Sequence, residues 1–181
     1  MYPSELTGSY TVDPAHSRFG FVARHAMVTK VRGSIPVKEA TVHLDAADPA
    51  ASSAHVVLEA AGIHTGNTMR DDHLRTGDFL DAANHPHLTF DSTDVKHLHG
   101  DSFEITGELT IRGVTRRVTL PLDYTGTTVD AQGLARVGFE GGTVINRKDF
   151  GVNYNAVLET GGMLISETVT LEFDLSAIKD A

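Results

Sequence analysis

The chain contains no cysteine and no tryptophan in its 181 residues. Without thiols, disulfides, thiolate nucleophiles, iron–sulfur clusters and cysteine-based zinc sites are all excluded. Positive charge is also scarce: 15 Lys and Arg face 24 Asp and Glu, a formal net charge of −9. Nucleic-acid binding needs a clustered basic surface, so no nucleic-acid partner is expected. The same balance gives no electrostatic help at an anionic membrane surface. Nowhere do ~18 apolar residues run together, so no spanning helix is expected and the protein does not read as a membrane protein. The opening "MYPSELTGSYTVDPAH" lacks a basic segment followed by an apolar run, as a secretory signal would have. The expectation is therefore a cytoplasmic protein.

Several chemical motifs are missing too. No G-x-S-x-G nucleophile signature occurs. The Gly pairs at 141–142 and 161–162 do not lead a strand into a long helix, as a phosphate-cradling loop requires. Asp149, Phe150 and Gly151 spell a kinase magnesium motif by letters, but no glycine-rich nucleotide loop or HRD segment accompanies them.

What the chain does have is alternation. Phe103, Ile105, Leu109 and Ile111 share one parity, with Gly107 between them. Val118, Leu120, Leu122 and Tyr124 repeat the pattern, as do Val169, Leu171, Phe173 and Leu175. Period 2 marks strands with one apolar face and one wet face. Segments 17–23, 40–44, 54–61, 87–95 and 134–144 also read as strands. Gly113 sits in a short hairpin, and 125–133 reads as the next turn. Strands in series with short turns predict one all-β antiparallel domain over 1–181, a sandwich or a closed barrel.

One stretch breaks the pattern. "NTMRDDHLRTGDFLDAANHP" (67–86) predicts a short helix at 68–75, with Thr68 and Asp71 at capping-box spacing. Asp71 and Arg75 then form an i,i+4 ion pair, Gly77 ends the helix and Asp78 caps a second short turn. His73 gains no carboxylate from Asp71 or Asp72, which do not face it on a helix. The chain holds ten histidines. His97 with His99, and His85 with His87, are close pairs, yet two imidazoles fall short of the three or four ligands a metal site wants. No metal site and no catalytic set is expected. His16 and His25 read as buried, hydrogen-bonded rings.

Four fragments taken in order resemble the YceI-like family: "YTVDPAHSRFGFVARHAM" (10–27), "TGNTMRDDHLRTGDFLDAANHPHLTFDST" (65–93), "ITGELTIRGVTRRVTL" (105–120) and "INRKDFG" (145–151). The likeness runs from about residue 10 to 176. It implies an antiparallel eight-stranded extended lipocalin-like barrel with one or two short helices. It also implies a long isoprenoid or fatty amide-type lipid in the interior, no other cofactor, and a possible homodimer. Two departures stand out: Tyr10 occupies a position where the family often has Trp, and Pro36 and Val37 stand where aromatics can sit.

With the alternation, the resemblance nominates Phe19, Phe21, Phe90, Ile105 and Leu109 for the lipid-facing wall. Leu120, Leu122, Phe139, Leu171 and Phe173 complete it. Met27 is nominated as a further ligand-binding residue, and His25, Arg70 and His73 at the open end, where they could hydrogen-bond a head group, with helix 68–75 as part of the mouth. A ten-residue strand spans ~34 Å and a ~40° tilt leaves a barrel ~26 Å tall, close to the ~30 Å depth of a bilayer's hydrocarbon. Around thirty ligand atoms at ~0.3 kcal/mol each give ~9 kcal/mol, enough for sub-micromolar binding without a polar clamp. The alternative readings are a hydrolase or isomerase using His16, His25 or His73, and a metal- or haem-associated module with an axial His or Met.

Overall fold

Each alternating segment is a strand in the computed structural model, which describes residues 3–181. Ten strands form one antiparallel sheet. They are β1 (Gly8–Val12), β2 (Arg18–His25), β3 (Thr29–Ser34), β4 (Val37–Leu44) and β5 (Ser53–Glu59), followed by β6 (His87–His99), β7 (Ser102–Ile111), β8 (Val114–Val129), β9 (Ala135–Asn146) and β10 (Thr168–Lys179). The order β1-β4-β5-β6-β7-β8-β9-β10 closes through a β1–β10 pairing, so the chain is an eight-stranded barrel. Strands β2 and β3 are the two additions. β1 lies against Ala177–Lys179 and β2 continues along the same edge of β10, against Thr170–Asp174.

The corner between β1 and β2 is written in "DPAH". Pro14 opens a 3-10 turn whose first free amide is capped by Asp13, which accepts from the Ala15 N–H. Chain is gained there: Val12 and Arg18 are six apart, while their partners Ala177 and Asp174 are three apart. Arg136 on β9 pins the corner, donating from Nη1 to Asp13 at 2.8 Å and from Nε to Asp130 at 2.7 Å. The Arg136 guanidinium, with His16 beside it, holds the Asp13 carboxyl down at about 2. A carboxylate whose pKa lies below its unfolded value of ~3.9 stabilises the fold fully above that pH and loses its effect as pH falls through the folded value. The stability gap between the native protein and Asp13→Asn should therefore close between about pH 4 and pH 2 in thermal melts. A constant gap would remove Asp13 from the acid response.

Two local expectations change. Segment 125–133 is not a turn: β8 runs on to Val129 through a register shift between Tyr124 and Gly126, and the turn is 130–134. Thr-rich sequence suits a pleated surface, and Asp130 accepts the Gln132 and Leu134 amides that close the turn. The helix, α1 (Thr68–Arg75), forms where expected, but Asn67 is its N-cap, accepting from the Arg70 N–H at 3.0 Å. Arg75 pairs with Asp72 at 2.8 Å rather than with Asp71. Asp71 is buried and turns inward to accept from both the N–H and the hydroxyl of Thr65. Burial pulls its carboxyl upward, but those two bonds, aided by His64 and Arg75, outweigh this and hold it below its ordinary value.

The barrel is tall. β6 has 13 residues, β8 has 16, and β9 and β10 have 12 each. At ~3.4 Å per residue and ~40° tilt, twelve residues make a wall ~31 Å high. Its two ends differ. One carries the long connections 60–86 and 147–167 with α1; the other carries the chain termini, the 45–52 loop and two tight hairpins.

Candidate functional site

The α1 end is solid. Ile63, Phe79 and Ala82 from one connection meet Phe150 and Val152 from the other, over Leu88 and Ile111 of the barrel wall. All are buried, and Phe21, Leu58, Leu109 and Val118 pack against them from the barrel side. Arg147 locks the second connection from within. It is 5 % exposed and donates to the carbonyls of Ser166, Val152 and Tyr154, each at 2.8 Å, and of Ile165 at 3.5 Å. Burial lowers its pKa and Glu167 partly offsets this.

Above that plug lies a cavity of about 240 Å³. It extends from Leu109 and Ile111 up to Leu6, Asp45, Ala46 and Pro49 at the opposite end. Hydrophobic cavities of ~150 Å³ already stay dry and take up apolar guests. The rim's polar groups are mostly spent on the rim itself. The Asp45 carboxylate accepts from the N–H groups of Ala47 and Asp48, and the Ser52 hydroxyl accepts from the Asp45 N–H. Ala46 donates to the Thr7 hydroxyl, and buried Tyr10 donates its phenol proton to the Leu6 carbonyl. Tyr10 is 2 % exposed, and its phenol anchors the 3-10 turn Ser4–Leu6.

Ten of the residues expected on the lipid-facing wall line this cavity. Phe19 and Phe21 come from β2, Phe90 from β6, Ile105 and Leu109 from β7. Leu120 and Leu122 come from β8, Phe139 from β9, and Leu171 and Phe173 from β10. Two glycines on the wall strands have a steric purpose. A Cβ at Gly107 would strike the Phe90 ring at 2.6 Å, and one at Gly141 would meet the Pro121 carbonyl at 2.4 Å and touch Phe173. Each lets a neighbouring ring lie flat against the wall. Sequence reasoning did not select Leu6, Val42, Leu44, Val56, Leu88 or Val95, which also face the hollow. Alternation within β4 and β5 was a usable signal for three of them, but Leu6 lies outside any strand.

The other four nominated ligand-binding residues, Met27 and the mouth residues His25, Arg70 and His73, lie off this wall. Arg70 is turned onto its own loop, giving Nε to the Thr65 hydroxyl and Nη2 to the Thr65 carbonyl. His73 does find a carboxylate, Asp78 at 2.8 Å, and sits edge-on to Phe79 and Tyr154 at the plugged end. His25 and Met27 are exposed at the β2–β3 turn. His16 is exposed as well, paired with Asp13, so neither His16 nor His25 is the buried ring expected. No histidine, lysine or arginine is among the cavity's lining residues.

A barrel of this order around an apolar hollow has relatives. The sequence model of the YceI-like domain matches residues 10–177. The chain belongs to the YceI-like family. A UPF0312 protein of Azotobacter vinelandii is 37 % identical over 149 residues, covering 81 % of this chain and 78 % of that protein. A UPF0312 protein of Staphylococcus aureus is 32 % identical over 167 residues, covering 91 % and 94 %. Among solved structures, BcnA of Burkholderia cenocepacia superposes with a TM-score of 0.80 at 27 % identity, over 91 % of this chain and 98 % of that one. A polyisoprenoid binding domain from Saccharophagus degradans has the same fold, with a TM-score of 0.69 at 15 % identity over 94 % and 98 %.

Proposed function

We propose that this YceI-like protein binds one long, uncharged hydrocarbon chain, of polyisoprenoid or fatty amide type, inside the barrel. The carrying observation is the cavity wall: a deep hollow faced almost wholly by aliphatic and aromatic side chains, with no cation on it. A phosphate or free carboxylate drawn inside would be desolvated without a partner, which costs several kcal/mol. The tail therefore occupies the barrel and any head group stays at the rim near Asp45 and Ser52, where the neighbouring carboxylates favour a neutral head. A solved relative of the same fold is described as a polyisoprenoid binding domain, which supports the class of ligand. A histidine hydrolase is less well supported, because its His73–Asp78 pair lies at the plugged end and not on the wall.

Organic extraction of the purified native protein followed by mass spectrometry should release a long-chain neutral lipid near one per chain. The extracted protein should rebind a fluorescent long-chain alcohol, and Arg70→Ala should rebind it equally well. Neither a released lipid nor uptake of the probe would overturn the reading.

A further inference from the structure

The net charge of −9 conceals a segregation. Between Asp13 and Glu39 the chain carries Arg18, Arg24, Lys30, Arg32 and Lys38 and no Asp or Glu at all. This stretch includes the β2–β3 hairpin, whose tip stands at the plugged end of the barrel. Arg24 and Lys30 are directly opposite each other on neighbouring strands, and both are exposed. Like charges so placed repel, and an anion relieves them. The Arg24 guanidinium reaches on to the Val28 carbonyl at the turn, which brings its charge to the tip.

The tip itself is apolar. Met27 and Val28 are 60 % and 76 % exposed, and the turn is closed by the Val28 N–H on the His25 carbonyl. Ala26 and Met27 have φ of 51° and 62°, a region that Gly or Asn fills more easily than Met. A second tip is tied to the first: Ala26 donates to the Leu164 carbonyl at 2.7 Å, and His25 bridges to Ile165. That second tip presents Val157 and Met163, paired with each other and 77 % and 37 % exposed. Exposed Leu98, Val129 and Leu134 occur at the mouth end too, but there Asp101, Asp123 and Asp130 stand beside them, and the nearby cations are engaged: Lys96 opposite Glu104, Arg136 on Asp130 and Lys179 on the Glu5 carbonyl. Among the described residues the β2–β3 end joins apolar tips to a basic flank; its acidic neighbours are Glu159 on the second tip, Glu167, which is paired with Lys148, Asp72 and Asp78, which are paired with Arg75 and His73, and Glu172, which bridges Arg18 and Arg32 lower down.

We propose that these two tips dock on an anionic lipid bilayer, with Met27, Val28, Val157 and Met163 entering the head-group layer and Arg24, Lys30 and Arg32 meeting its charge. Apolar side chains sunk ~5–10 Å with a basic rim are the interfacial pattern, and each Lys or Arg near an anionic surface raises binding roughly fivefold. The surface is distinct from the cavity, so docking stands whatever the barrel holds.

The test is co-sedimentation of the full-length protein with phosphatidylcholine vesicles, with and without phosphatidylglycerol at roughly one lipid in three, at low and high salt. Binding should require the anionic lipid and fall at least tenfold in high salt. Met27→Asn, which suits the positive φ and so keeps the turn, should weaken it about tenfold, as should Lys30→Glu. Equal binding to neutral vesicles, no vesicle binding, or wild-type binding by both variants would overturn the proposal. Tip-dependent retention of an acidic protein without vesicle binding would also overturn it, in favour of a protein partner.

Discussion

Leu120→Trp should lower affinity for a long hydrocarbon roughly 100-fold while the barrel still folds. Leu120 lies midway along β8, opposite Ile105 of β7, and both face the hollow. The indole brings roughly six more side-chain atoms into space the ligand would use, and at ~0.3 kcal/mol per displaced ligand atom this is ~2 kcal/mol. Residual crowding adds ~1 kcal/mol, and ~3 kcal/mol in total is about a hundredfold. The measurement is titration of lipid-stripped protein with a fluorescent fatty alcohol, together with a thermal melt. Because the extra bulk enters existing empty space, the melt should stay within a few degrees of the parent. Unaltered affinity would mean that the hydrocarbon does not sit at this level of the barrel.

Arg147→Leu should be the most destabilising single change, at about 3–5 kcal/mol. The leucine keeps some of the stem's packing but strips donors from the carbonyls of Ser166, Val152 and Tyr154. Buried carbonyls without partners cost ~1–3 kcal/mol each, and Asn155, which already donates to Ile165, can relieve only its own neighbour. For a chain of this length ~1 kcal/mol shifts the melting temperature by ~2–4 °C, so a drop of ~6–20 °C is expected. Arg147→Lys should recover little, since one ammonium cannot serve carbonyls spread around a planar fork. A drop under about 3 °C would show that water replaces the guanidinium.

Much of the barrel could be read from the sequence because its residues obey a strict two-residue period. Phe103 to Ile111 and Val118 to Tyr124 alternate cleanly, and both rows face the cavity. The location of the mouth was not readable. "RDDHLR" announces polarity, yet its connection carries Ile63, Leu74, Phe79 and Leu80 beneath that charge, and these residues fill the end of the barrel. Which loops plug and which stay open depends on packing between 60–86 and 147–167, far apart in the chain. Local pattern carries no trace of it. His73 illustrates the same limit: its carboxylate partner is Asp78, beyond the helix end, where helical spacing rules do not reach.

Under the proposed function, the asymmetry between the two ends would make the interior a measuring sleeve. A chain sliding in tail-first would stop against Phe21, Leu109 and Val118, which line the hollow and pack on the plug, and would have to back out the way it came. Molecules short enough to vanish inside are hidden from water; longer ones leave their surplus carbons projecting past Pro49. Shaving the floor, for instance by Ile111→Ala, would reset that gauge toward longer guests.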